Sequence, residues 1–576
     1  MIAANPPRGS GRWPRPGIAA EGDESWSQRV AAATGADEPL ASALEQAALS
    51  APAGQGRPGA ARLLEWASDL SPAEAERERR LLKAAIQGVC AGELGSADLW
   101  ARVSACPPSA LRSSVLAGRA GLEGRAAEAE FHLNRAIAQA TEPGGDLPAI
   151  THGLRAQACL AAGLPRPAVA QALAGLALAG PDLGLERWLT RLLAAGRCYA
   201  HGPLAAVRTL ASPSAGWPAT GQATELATDP ATALALGCYR ALAGDPRGAI
   251  ADLSPLASDV GSAAQAQLAA RASWLALACH QVGEWRQADW HIGSAIDAAG
   301  QCARGEAAPY ALGAVLAGFR ANWTRAEQLL RAARDLSTAG PDNAVLSDLA
   351  QVAIAHAHGG LRPGQPALQR LVLAGDVAGK FRLLWLPLQA EALVAFGPEP
   401  SAVAALSELR SLADQAPGLR IACGRLAGLL AERRRDPAAA QRHYETATAP
   451  LPGATAPFEL GLAEQCYGRL LSSLGAAAGG RALLERARDR LARAGAIPYA
   501  RRCAADLARS WHQGAAAWSA ALSERERSVA HLVAAGMTNQ EVAARLYISA
   551  RTVEYHLAQI YRKLGIRSRR QLSHFA

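Results

Sequence analysis

An alanine that returns about every 39 residues restricts this chain to one kind of body. It is followed four positions later by an apolar residue and three after that by a small or apolar one, and a glycine often stands five before it. The instances are Gly124/Ala129/Leu133/Ala136, Gly163/Ala168/Ala172/Gly175, Gly244/Ala249/Leu253/Leu256, Gly283/Ala288/Ile292/Ala295, Ala326/Leu330/Ala333, Gly397/Ala402/Leu406/Leu409 and Ala440/Tyr444/Ala447. Successive alanines are 39, 81, 39, 38, 76 and 38 residues apart, so the two long gaps conceal degenerate units around Gly202 to Leu210 and Arg362 to Arg370. Offsets of four and seven return to one face of a helix. A period of this length holds a pair of helices, whose small contact residues allow close approach and whose glycine accommodates the turn. Asp245-Pro246, Glu284-Trp285, Asn322-Trp323 and Asp436-Pro437 occupy that same turn. Each pair can bury its apolar face only against its neighbours, so the expected product is a superhelical solenoid with a concave groove.

Composition agrees with an all-α chain. Half of the 576 residues are hydrophobic but only 5% are aromatic, and so long a chain exceeds one compact core. The repeat resembles the tetratricopeptide repeat at a slightly longer unit; an irregular Ala-rich helical domain without true periodicity is the alternative. Residues 1–37, rich in Pro, Gly and Arg without periodicity, are expected to be disordered or an artefact of the assigned start. The solenoid is expected over 38–511, a linker with Gly514 and an Ala run over 512–521, and a separate domain over 522–576. The ten cysteines include no Cys-x-x-Cys pair, which argues for reduced thiols rather than zinc or disulfides. With no apolar signal core and no stretch of about 18 apolar residues, no membrane partner and a cytoplasmic location are expected.

The last stretch carries the chemistry. Thr538 with Glu541 forms a capping box flanked by the staple Met537/Val542, and Ser549 caps a second helix with Ile548/Val553 as its staple. Val553, Leu557, Ile560 and Leu564 recur at helical spacing and must pack inward, with Gly565 ending the helix. Arg551, Glu554, Tyr555, Ala558 and Arg562 then face out, a polar, short-side-chain stripe of the kind a major-groove reader needs. Of a formal net charge of +9, the chain from Ala520 onward carries nine Lys and Arg against four acids. A phosphate-binding module requires such a surplus. The charge runs Glu74 to Arg80 and Glu432 to Arg435 read instead as solvated helix faces.

These residues resemble the DNA-binding domain of the LuxR family of bacterial transcription regulators. The resemblance rests on Leu522-Ser523, Arg525-Glu526, Gly536, Asn539, Glu541-Val542-Ala543, Leu546, Ile548-Ser549, Thr552-Val553, His556-Leu557, Ile560 and Lys563-Leu564-Gly565-Ile566, at ungapped spacing. Region 4 of sigma factors shares the helix-turn-helix, and the Lys563 to Ile566 ending favours LuxR. The resemblance implies four helices: an outer one from Ser523 to Ala535, a scaffold from Thr538 to Leu546, a recognition helix from Ala550 to Leu564 and a short last one near Ser568. That last helix often carries a dimer contact, and here it is cut short at Ala576.

Other chemistries find little support. LuxR-type domains behind helical repeats occur in large ATP-binding regulators, but the nearest phosphate-loop candidate here, Gly375 to Phe381, is one residue short and has Phe381 after Lys380. No catalysis, cofactor or metal is expected. His356-Ala357-His358 cannot share a helix face, and Trp274, Trp285, Trp290 and Trp323 read as intra-repeat packing ahead of a ligand groove.

The function expected is a sequence-specific transcriptional regulator whose repeats sense an effector or partner. Ser549, Arg551, Thr552, His556, Arg562 and Lys563 would position the DNA backbone, with Thr538 and Asn539 beside them. Arg551, Glu554, Tyr555 and Ala558 would face base edges. Partners implied are double-stranded DNA, RNA polymerase, a peptide, protein or small effector in the solenoid groove, and a second copy of the chain. The alternative is a repeat-based scaffold with weak non-specific DNA binding.

Overall fold

The computed structural model describes residues 21–50, 60–91, 96–123, 125–139, 147–179, 183–211, 230–256, 262–301, 306–337, 341–413, 416–450, 456–564, 569 and 572. Among these, every regular element is helical. From Ala110 to Arg493 the helices come as antiparallel pairs, beginning with Ala110–Leu122 and Ala126–Gln139 and ending with Pro457–Ser473 and Ala477–Arg493.

The periodic alanine is fully buried in each pair. Ala129, Ala168, Ala249, Ala288, Ala326, Ala402 and Ala440 are all at 0% exposure, and so are Ala206 and Ala367 in the two degenerate units. One further unit escaped the alanine pattern: Gly480, Leu484 and Ala487 repeat the spacing on the helix Ala477–Arg493 with glycine in place of alanine.

The glycine five positions before the alanine is explained by the turn. Gly163, Gly244, Gly283 and Gly475 have φ between 71° and 91°, where a side chain is strained. The next residue's N–H then reaches back five positions to a carbonyl, as from Leu164 to Cys159, Asp245 to Arg240 and Glu284 to Cys279 at 2.8–2.9 Å. This Schellman closure satisfies one helix end, and the donor residue is already the N-cap of the next helix. Asp245 and Asp436 accept from Gly248 and Ala439 at 3.0 and 2.9 Å, each with proline at the first helical position. Where glycine is missing, Ala321 and Arg435 are forced to φ 59° and 60°. Gly397 instead is extended, with φ −86°, so its turn is built differently. Gly124 lies outside the described residues.

Three expectations are corrected. Within 1–37, Glu21–Ala32 is a helix, because Trp26 and Val30, one turn apart, pack on the cluster of Leu40, Leu44, Leu63 and Trp66; residues 1–20 lie outside the described residues. Residues 512–521 form the last turns of the continuous helix Ile497–Ala521, since a run of alanines outweighs the roughly 1 kcal/mol cost of Gly514. The run Glu74 to Arg80 is not merely a solvated face. Arg80 is 2% exposed and donates to Glu38, Glu45 and Ser71, while Arg79 holds the Glu45 carboxyl down to about 2.

Units far apart in the sequence meet through their own side chains. Tyr199 donates to Asp342 at 2.6 Å, 143 residues away, and Arg320 donates to the Gly495 carbonyl at 2.7 Å, 175 residues away. Gly283 allows the approach of Pro457, which a Cβ would meet at 3.0 Å. A small residue at Gly283 thus lets units distant in sequence approach. Lys380, from the phosphate-loop-like stretch, is paired with Asp342 beside the Tyr199 and Phe381 rings. His356 is buried against Glu391 and Tyr499, and the His358 ring lies tilted against Trp323, centroids 4.1 Å apart. Trp274 is buried and Trp285 lies under Arg320, whereas Trp290 is exposed. No helix among the described residues is long and apolar enough to cross a membrane, and the nine described cysteines are free thiols.

Candidate nucleic-acid interface

Two residues separate the helix Ile497–Ala521 from a small domain of three described helices, Glu524–Ala534, Asn539–Leu546 and Ala550–Leu564. Arg569 and Leu572 are helical too, but Gly565 to Ser568 and the chain around those two residues lie outside the described residues.

Each helix start is set by a capping side chain. Thr538 and Glu541 form the expected box: the Thr538 N–H donates to Oε2 of Glu541 at 2.6 Å, and the Glu541 N–H donates to Oγ1 of Thr538 at 3.3 Å. Ser549 Oγ accepts from the Thr552 N–H at 3.1 Å and lies 2.8 Å from the Thr552 hydroxyl. A second box, Ser523 with Glu526, was legible as Ser-x-x-Glu but was not singled out from the sequence. The repeat array's turn reappears here: Met537 bonds back to Leu532 past Gly536 at φ 89°, and Ile548 bonds back to Ala543 past Tyr547 at φ 53°. Tyr547 accepts that strain with its ring 96% exposed.

Packing fixes which face of the last helix is free. Val553, Leu557 and Ile560 are buried against Val529, Val533, Val542 and Leu572; the Leu564 side chain lies outside the described residues. Each such aliphatic group contributes roughly 1.5–3 kcal/mol on full burial, so the helix cannot rotate to present another side. Arg551, Glu554, Tyr555, Ala558 and Arg562 are exposed in a row opposite this core, and Thr552 and His556 flank the row half-buried. Arg551 and Glu554 have no hydrogen-bond partner among the described residues, whereas Arg562 is held by Gln559.

Two expected backbone-positioning residues have internal partners. Lys563 donates to Glu526 Oε2 at 2.6 Å and Asn539 Oδ1 accepts from Arg569 at 2.9 Å. No sequence signal marks either pair, which lie 37 and 30 residues apart. The Lys563 ammonium, followed by the Ser523 N–H, holds the Glu526 carboxyl down to about 2. A depressed folded value means that this tie stabilises the domain above the ordinary glutamate range and is lost as pH falls through about 2. Acid titration of the domain's melting should therefore show a fall between about pH 4.3 and 2 that is smaller in Glu526→Gln. Identical acid profiles would remove the tie from the account.

Comparison with known proteins adds an independent view of this stretch. Residues 520–576 match the family model described as bacterial regulatory proteins, luxR family. A Mycobacterium bovis protein named as an HTH-type transcriptional regulator is 43% identical over 77 residues, which are 13% of this chain and 8% of that protein. The oxygen regulatory protein NreC of Staphylococcus aureus is 42% identical over 55 residues, 10% of this chain and 25% of its own. The match thus spans less than a tenth of the mycobacterial relative and a quarter of the staphylococcal one. Among solved structures, the APC/C hetero-tetramer Cut9-Hcn1 aligns over 78% of this chain and 92% of its own, at 12% identity and a TM-score of 0.34, a likeness too loose to bear on the fold.

Proposed function

We propose that this chain, whose residues 520–576 belong to the luxR family of bacterial regulatory proteins, is a sequence-specific DNA-binding transcriptional regulator that lays the helix Ala550–Leu564 in the major groove. The observation that carries the reading is the exposed row Arg551, Glu554, Tyr555, Ala558 and Arg562 on a helix whose other side is locked into the domain core. Its short and planar side chains suit close approach to base edges, and the caps at Thr538 and Ser549 direct helix N-termini at phosphate. Lys and Arg contacts to the backbone would supply salt-sensitive affinity, and the row would supply choice of sequence. The repeat array is the input side, answering to an effector or protein partner, and the work takes place on the nucleoid in the cytoplasm. A second copy of the chain and RNA polymerase are its further partners in this reading.

The test is a gel shift of the full chain on the DNA upstream of its own operon, titrated with salt and random competitor. Retained binding under a thousandfold excess of competitor is the expected result. Binding that competitor removes in proportion to its mass would replace the regulator by a scaffold that holds DNA weakly.

A further inference from the structure

Three aromatic rings from units far apart in the sequence meet in one cluster. Phe319, Phe458 and Tyr499 come from three different helices, and their ring centroids lie 4.8–5.3 Å apart. At the edge of this cluster the Tyr499 hydroxyl is 2.8 Å from Nδ1 of His356, 143 residues away, while His356 Nε2 is 3.1 Å from Glu391 Oε1. The carboxylate can only accept, so Nε2 donates to Glu391, while Nδ1 and the Tyr499 hydroxyl share the second hydrogen bond. Arg502, one turn further along, donates to the His356 carbonyl at 3.1 Å and lies 4.2 Å from the centre of the Tyr499 ring. Just ahead of that helix, Arg320 holds the Gly495 carbonyl.

Tyr499 and Arg502 stand on the first turns of the helix Ile497–Ala521, whose other end is two residues from the start of Glu524–Ala534. The small domain is therefore carried on a rod whose base is fixed to the middle of the array, at His356, as well as to its sequence neighbours.

We propose that this seam is a latch. The Tyr499–His356 hydrogen bond holds the rod on the helix Pro341–His358, and its release frees the C-terminal domain from that part of the array with the repeats still folded. A ligand or partner that rearranged the helix bearing His356 would reach the domain through this buried contact, one of several along the rod, where Gln465 also donates to Asp506 at 2.7 Å. The latch is independent of whether the domain reads DNA, so it stands or falls separately from the proposed function.

Hydrogen exchange of the full chain followed by mass spectrometry tests it without DNA. Tyr499→Phe keeps the ring and removes the hydroxyl, which leaves the buried His356 Nδ1 without its partner. Amides of residues 497–509 should exchange about tenfold faster, while Pro417–Arg433 and Glu524–Ala534 keep their wild-type rates. His356→Gln should produce a comparable rise, and the double variant no more than the larger single, because the same bond is lost each time. Unchanged exchange in 497–509, a rise shared with Pro417–Arg433, or multiplying effects in the double variant would each overturn the latch.

Discussion

Arg551→Ala should weaken binding of the full chain to its specific site by about 1–3 kcal/mol, roughly five- to 150-fold, without moving its melting temperature. The size follows from what a guanidinium does at a guanine, where two parallel donors meet two acceptors and their loss strands the base edge. Unchanged stability follows from position, since Arg551 is exposed on the first turn of its helix and has no partner among the described residues. An exposed substitution of that kind costs within about 0.5 kcal/mol. The comparison that decides its role is between specific and random duplexes. A loss confined to the specific site makes Arg551 a base reader, whereas an equal loss on both, with the salt slope reduced by about 1, makes it a phosphate contact. Glu554 sharpens the contrast. Its carboxylate can accept from a cytosine amino group but repels phosphate, so Glu554→Gln should raise affinity for random DNA while Arg551→Ala lowers it.

Much of this architecture could be read without coordinates because it depends on local geometry. A left-handed turn wants glycine and a tight helix pair wants alanine, so the period of Gly163/Ala168 or Gly283/Ala288 is a direct image of the turn and contact it builds. The degenerate units were located by counting, and Ala206 and Ala367 stand where the gaps required. The unit at Gly480 was missed because glycine can take alanine's place at a close contact, which breaks a pattern defined by residue type but not one defined by size. The caps of the small domain and the inward row Val553, Leu557 and Ile560 were legible for the same local reason. What the sequence did not disclose is everything set by the coiling of the array. Nothing near His356 announces Tyr499, and nothing near Tyr199 announces Asp342, because those partners are chosen by superhelical pitch. Arg80 shows the same limit, for its run of charges looks solvated until the N-terminal helices bring Glu38 and Glu45 to it.

The largest effect on stability should come from Arg425→Ala, about 3–5 kcal/mol at neutral pH. Arg425 is 3% exposed and lies between two carboxylates, donating to Glu391 at 2.8 Å and to Glu459 at 3.5 Å. Removing it leaves Glu391 charged in a largely buried site, with His356 still beside it. The pH dependence separates this cause from simple loss of packing. In the wild-type protein burial pushes the Glu391 carboxyl up, and Arg425 followed by His356 more than reverses that, so its value lies well below the usual range. Its contribution is therefore present above the ordinary glutamate value near 4.3 and is lost only as pH falls through the depressed one. Without the guanidinium the balance inverts: burial dominates, and Glu391 binds a proton more readily folded than unfolded. Stability of the variant should then rise relative to wild type as pH drops from 8 to about 5. Thermal melting across that range measures the narrowing gap. A gap that stays constant would mean that Arg425 acts through the volume of its side chain, and Arg425→Met, which restores most of that volume without the charge, would then recover the loss. If charge is the cause, Arg425→Met remains as unstable as Arg425→Ala at neutral pH, and only the further change Glu391→Gln restores it.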